Sequence, residues 1–398
     1  MKFIQLYPLL WVNLTPLLLP HVAGSQTLCG ECRPIKMKNA PGVGIDLTMA
    51  YGTVAIHFKN GTTRDLGRFD GTPEYLLAMR TLAEDAQNVR NGMKSSVKKI
   101  DFLTPHKPLN PPREYWWSPY TWYRSAQRMP QLSEEQSRLK DVGHLADNSF
   151  KAIADMLSRI KSSAMNMIDP PLDYNYVLVT RPDFEQGYMH NDGFRLACYL
   201  AGLDNLPWGN IVSGYALRYE GVYDACDDEG WEKYCDLSKP NLPSLLVISY
   251  NAASLGVTLN IRPWGLMPSP ERLIESPTLG AVQANTTNPE ALAKYWTEVR
   301  KSIESVIKNE TIHYLLLLGS HALDPELLRV LKDVIDSRDD IDQSILDRYM
   351  KPSSRQDDEA RALFAGARKA AMDAKFGLEF GFTACDEPSW CGTWWAEL

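Results

Sequence analysis

The sequence has no excess of positive charge, and that removes one class of partner. Lysine and arginine number 42 against 49 aspartates and glutamates, a net charge of -7, which leaves no electrostatic footprint for nucleic acid. No long run of like charge occurs. Glycine and proline, 25 and 26 residues, are too close to average use for a collagenous or long disordered chain. Beyond the first 19 positions no stretch has the length and apolar continuity of a transmembrane helix. His190-Asn191-Asp192 has no partner at ligand spacing, so it reads as a solvated turn rather than a metal or acid–base site.

What is present is an ordinary globular composition, 44% hydrophobic and 23% charged over 398 residues, long enough for two lobes. The start of the chain points to a compartment. Met1-Lys2 is positive, Phe3 to Leu19 is mostly apolar, and Val22-Ala23-Gly24-Ser25 supplies small residues. That order predicts a secretory signal peptide over 1–25. Pro8, Asn13 and Pro16 interrupt the run and argue against a membrane anchor, so no membrane association is expected after cleavage. Asn60, Asn285 and Asn309 each open an Asn-X-Thr glycosylation acceptor.

Cysteine is scarce, seven residues in all. In an oxidising compartment the short spacings suggest local disulfides, Cys29–Cys32, Cys226–Cys235 and Cys385–Cys391. The second would close a polar loop and contribute about 2–3 kcal/mol. The third would staple a tail over 381–398. Cys29 and Cys32 have the spacing of a redox pair, but Arg33-Pro34 follows and no strand–helix unit surrounds them, which favours a structural bridge over a thiol oxidoreductase. Cys198 lies in an apolar helical stretch and reads as a buried thiol.

Local patterns alternate between strand and helix. Val43 to Phe58 reads as a hairpin, and Thr72 to Arg90 as a helix with Pro73 in its first turn and Tyr75, Leu76, Met79 and Leu82 on one face. Residues 102–130 are rich in proline and aromatics, suited to packing an irregular segment onto the lobe beneath. Phe150, Ile153, Leu157, Ile160 and Ala164 mark an amphipathic helix. Tyr176 to Thr180, Leu245 to Tyr250 and Tyr314 to Leu318 read as strands. Asn288-Pro289 and Asp324-Pro325 each open a further helix. Such alternation predicts an α/β architecture.

Three segments carry a resemblance to a known family. Gly44-Ile45-Asp46-Leu47-Thr48-Met49-Ala50-Tyr51 resembles the first phosphate motif of the actin-like ATPase superfamily, G-I-D-L-G-T-T-Y in its heat-shock 70 branch. Val177 to Pro182 with Ala201-Gly202-Leu203 is similar to that family's V-I-T-V-P strand and A-G-L helix end. Leu315 to Ser320 is similar to its adenosine motif, L-V-G-G-S. The pattern is closer still to uncharacterised fungal proteins with an actin-like ATPase domain, which share the Tyr295-Trp296 helix and a closing helix over Phe364 to Lys375. The resemblance covers roughly 43–375. It implies a duplicated, ribonuclease-H-like two-lobed α/β fold with one outer subdomain reduced, a first lobe over 40–170 and a second over 171–380.

The same resemblance shows what is altered. Asp46 is retained, where the family's aspartate faces metal-bound water, but Thr48 replaces a glycine and Met49 and Ala50 replace two threonines. Ser249 to Ser254 stands where D-L-G-G-G-T is usual, Ile211 to Ala216 offers no acidic residue, only Gly319 remains of a glycine pair, and Lys369 occupies the place of a small glycine. Cleaving ATP needs open backbone amides, hydroxyls, a lysine and metal-holding carboxylates. The implied reading is a pseudo-ATPase that serves as a binding or scaffold module for an unknown protein partner, with no cofactor expected. Gly44, Asp46, Thr48, Tyr51, Gly319 and Ser320 are then vestigial nucleotide contacts. The alternative is a diverged ATP–magnesium-binding ATPase or nucleotide sensor that uses Asp46, Thr48 and Ser320.

Overall fold

The computed structural model describes residues 39–93, 95, 97, 147–168, 176–185, 191–205, 211–222, 244–260, 270–350 and 355–380. The leader, the six cysteines proposed for disulfides, the aromatic 102–130 segment, His190 and the tail lie outside the described residues. Cys198 is a free, buried thiol, and burial pushes its pKa up to about 12.

The first sheet is built from β1 (Gly42–Leu47), β2 (Tyr51–His57), β3 (Thr63–Asp70), β4 (Tyr176–Thr180) and the short β5 (Asp204–Asn205). Its order is β3-β2-β1-β4-β5, with antiparallel hairpins through β3 and parallel pairing of β1 with β4 and of β4 with β5. Two helices lie between β3 and β4 in the chain, α1 (Pro73–Arg90) and α2 (Asn148–Ala164). Thr72 caps α1, its side chain accepting from the Tyr75 amide at 3.2 Å, and Pro73 sits where no amide partner is needed. Tyr75, Met79, Leu82 and Ala83 of α1 are buried against Phe150, Ile153, Leu157 and Ile160 of α2 and the apolar side of β1. Leu76, expected on that buried face, is 36% exposed; the stripe runs through Ala78 instead. The chain continues through α3 (Asn191–Leu200), so Asn191 and Asp192 open a helix rather than form a turn.

After β5 comes α4 (Val212–Tyr219), and then the second sheet: β6 (Leu245–Tyr250), β7 (Leu255–Asn260), β8 (Arg272–Ser276) and, later, β9 (Tyr314–Leu318). The order β8-β7-β6-β9 and the strand directions repeat those of the first four strands of the other sheet. Between β8 and β9 run the short α5 (Ala281–Ala284) and α6 (Pro289–Ile307). α7 (Pro325–Asp336), α8 (Asp347–Met350) and the long α9 (Arg355–Phe380) complete the described chain. Asn288 and Asp324 cap α6 and α7 through side-chain bonds to the amides of Glu290 and Glu326, at 3.0 and 2.9 Å. The molecule is therefore α/β. No helix among the described residues is long and apolar enough to cross a membrane.

α4 and α9 lie between the sheets. Val212, Ala216 and Leu217 of α4 pack with Ala365 of α9 on Leu245, Val247, Leu316 and Leu318 of the second sheet. On the other side Ala367 and Ala371 meet Ala55, while Ala370 and Ala374 meet Leu178. Alanine at these positions lets the helix sit close to the strands. A fork from Arg368 to Asp65, at 2.9 and 2.7 Å, and an Arg218–Asp373 ion pair at 3.0 Å fix α9 to β3 and to α4. One expectation is corrected. A lobe boundary at 170/171 would cut the first sheet, because β4 and β5 pair with β1 and complete it.

Candidate functional site

The C-terminal ends of β1, β4, β6 and β9 converge on one cavity between the sheets, where ligands of open α/β sheets bind. Asp46, Thr48, Met49 and Tyr51 come from the first hairpin, Asp183 from the end of β4, Ser249 and Asn251 from the second hairpin, Gly319 from the end of β9, and Gly366 from α9. The cavity measures about 20 Å³, room for about one ordered water.

Both hairpin turns are closed by their own side chains. Thr48 Oγ1 accepts from the backbone amides of Ala50 and Tyr51 at 3.1 and 3.0 Å, and donates to the Tyr51 carbonyl at 2.8 Å. In the second hairpin Asn251 Oδ1 accepts from the amides of Ala253 and Ser254 at 2.9 and 3.1 Å. Short polar side chains at turns commonly bond the amides two and three residues on. Here the consequence is chemical: four of the amides that the two turns would present to a phosphate are already bonded. Met49 is buried in the first core. Asn251→Ala leaves two amides without their acceptor, and we expect a stability loss of roughly 2 kcal/mol, measured by chemical denaturation, with no gain in nucleotide binding.

Three carboxyl groups face this cavity. Asp46 is 3% exposed and accepts from Thr180 Oγ1 at 2.6 Å. Burial pushes its pKa up to about 7, against the Thr180 bond and with help from the Asp183 charge. Asp183 accepts from the Ser213 amide, in the first turn of α4, at 3.0 Å and from Thr258 Oγ1 at 2.7 Å. Burial raises its pKa, and those bonds oppose the rise. Glu275 is half-buried, its Oε2 lies over Gly256, and its Oε1 is buried without a hydrogen-bond partner among the described residues. Burial pushes it up to about 7, opposed by the Ser254 hydroxyl. None of the residues lining the cavity is a lysine or arginine. Among the described residues no three His, Cys, Asp or Glu side chains form a group able to hold a metal ion. A triphosphate with magnesium does not fit these residues: the amides are bonded, the lining is acidic and the space is that of a water.

The candidate residues separate on inspection. Asp46, Thr48, Tyr51 and Gly319 do line the cavity. The Tyr51 ring lies 4.5 Å from the Arg68 guanidinium, and Ser320 does not line the cavity. Gly319 has φ +103°, and a Cβ there would lie 2.2 Å from the Tyr250 carbonyl oxygen, so the glycine serves the close approach of the chain leaving β9 to the end of its neighbour β6. Gly44 is corrected. It does not line the cavity; its α-carbon lies under α9, where a Cβ would meet the Ala367 oxygen at 2.1 Å. Gly366, three residues before Lys369, brings its α-carbon against the Asp46 carboxyl. Lys369 instead is buried and paired with Asp373 at 3.0 Å. Tyr250 turns away from the cavity to the Tyr295 hydroxyl, 2.9 Å away.

Comparison with protein-family models and with curated proteins found no match. The site therefore rests on its own chemistry. Sequence reasoning missed Asp183, Asn251 and Glu275. Asp183 had a signal, since it follows a parallel strand at its carboxyl end. Asn251 had one too, an Asn-Ala-Ala-Ser turn between two strands. Glu275 had none; only the pairing of β7 with β8 brings it over Gly256.

Proposed function

We propose that this chain is a two-lobed, actin-like pseudo-ATPase of the secretory pathway, a non-catalytic binding or scaffold module for a protein partner. The repeated strand order of the two sheets, with α4 and α9 between them, supports the duplicated actin-like reading. The observation that carries the loss of activity is the capture of the turn amides by Thr48 and Asn251. Charge-assisted bonds to phosphate contribute about 1.5–3 kcal/mol each, so losing several removes affinity by powers of ten.

A thermal-shift titration tests this directly. A ligand at a hundred times its Kd stabilises the folded state by about 2.7 kcal/mol. Purified full-length protein should show no shift with ATP and magnesium, and none with AMP. Stabilisation by ATP but not AMP would establish the diverged nucleotide sensor instead, because only ATP reaches for the two turns. Magnesium-dependent turnover would overturn the reading outright.

A further inference from the structure

The tip of the first sheet carries a feature that the cleft does not use. Asn60, Gly61 and Thr62 form the turn between β2 and β3, and all three are exposed. Thr62 bonds Asn60 twice through one atom: its hydroxyl donates to Asn60 Oδ1 at 2.7 Å and its amide does so at 3.0 Å. Both bonds fall on the carbonyl end, and Asn60 Nδ2 makes none among the described residues. Gly61 has φ +82° with open space around its α-carbon, so nothing crowds the turn.

The other two acceptor sequences are built differently. At Asn309 the required hydroxyl, on Thr311, is directed to Asp340 Oδ2 at 3.3 Å. The residue between them, Glu310, is paired with Arg272 at 2.8 Å. At Asn285 the required hydroxyl, on Thr287, makes no bond to the asparagine among the described residues, and the middle residue Thr286 accepts from the Asn288 amide at 3.3 Å, as part of the approach to α6. Asn285 also follows α5, whose first amide bonds the Asn251 carbonyl beside the cavity. Only at Asn60 do the asparagine amide and the hydroxyl two residues on bond each other. That contact lies within three consecutive residues, so it needs no tertiary partner.

Resting on the secretory reading, we infer that Asn60 is an occupied N-glycosylation site of this chain, favoured over Asn285 and Asn309. The donor is an oligosaccharide on a lipid pyrophosphate. The sugar C1–O bond to pyrophosphate breaks, a C1–Nδ2 bond forms, the amide gives up one proton, and the lipid pyrophosphate leaves. β2 has seven residues, so at about 3.3 Å each the glycan sits about 20 Å from the Thr48 turn. It stands instead beside β3, the outer strand of the first sheet, where a bulky hydrated group blocks pairing with another chain.

The test is the full chain expressed through a eukaryotic secretory pathway, trimmed with an endoglycosidase that leaves one N-acetylhexosamine, and mapped by mass spectrometry. The peptide containing Asn60 is expected to carry the remnant sugar in most molecules, and Asn60→Gln and Thr62→Ala are each expected to remove it. Remnants on Asn285 or Asn309 with Asn60 bare would overturn this inference while leaving the secretory reading intact. No remnant on any of the three, with the protein retained in the cytosol, would overturn both. Secreted protein without any remnant would overturn the inference alone.

Discussion

Gly44→Ala is expected to prevent stable folding, with a loss above about 4 kcal/mol, the range reserved for severe core defects. The added Cβ would lie 2.1 Å from the Ala367 carbonyl oxygen and 2.3 Å from the Ala371 amide nitrogen. Both are backbone atoms of α9, so no rotamer change relieves the overlap; the helix must lift off β1. Lifting it would also part Ala370 from Leu178 and loosen Ala365 from the second sheet. Gly61→Ala is the control, because its site is open and only its φ of +82° is unfavourable, a cost of about 1 kcal/mol. Denaturant unfolding of the two variants measures the contrast. If Gly44→Ala folded normally, the packing role assigned to this glycine would be wrong.

Asp46→Asn is expected to stabilise the protein at alkaline pH. The folded-state pKa of Asp46 is about 7, against about 3.9 for an unfolded aspartate. Between those values the folded chain holds a proton that the unfolded chain has released. Stability from this group is therefore fully present below about pH 4 and is lost as pH rises through 7. Above that, keeping the charge buried costs roughly 4 kcal/mol. Asparagine removes the charge while its Oδ1 still accepts from Thr180, so the variant should exceed the parent by a few kcal/mol at pH 8 and match it near pH 4. Glu275→Gln should change stability in the same direction, since that carboxyl is also pushed up by burial. Urea unfolding at the two pH values decides it. A destabilised Asp46→Asn at pH 8 would mean that the carboxylate is satisfied in its ionised form, as a cation-binding cleft requires.

These two residues also separate what was legible from what was not. Gly44 and Asp46 stand two positions apart in one motif, and the resemblance assigned both to nucleotide contact. The structure gives one to helix packing and the other to a closed acidic cavity. Legibility was high wherever the determining interaction is local. The caps at Thr72, Asn288 and Asp324 bond amides two or three residues on, and the periodic apolar positions of α2 needed only helical spacing. Legibility failed at Leu76, where a face was drawn from spacing alone, and at the lobe boundary, where a strand distant in sequence joins the first sheet.

The sequence by itself determined much of the element order: the first hairpin, the capped helices, the apolar strands β4, β6 and β9 and their alternation, because each follows from hydrogen bonds and burial among near neighbours. Only the tertiary structure decided how the cleft is furnished. Asp46, Asp183 and Glu275 belong to segments far apart in the chain, and they meet because sheet pairing and the seat of α9 bring three strand ends together. Packing of that kind is cooperative and long-ranged, so no local pattern records it.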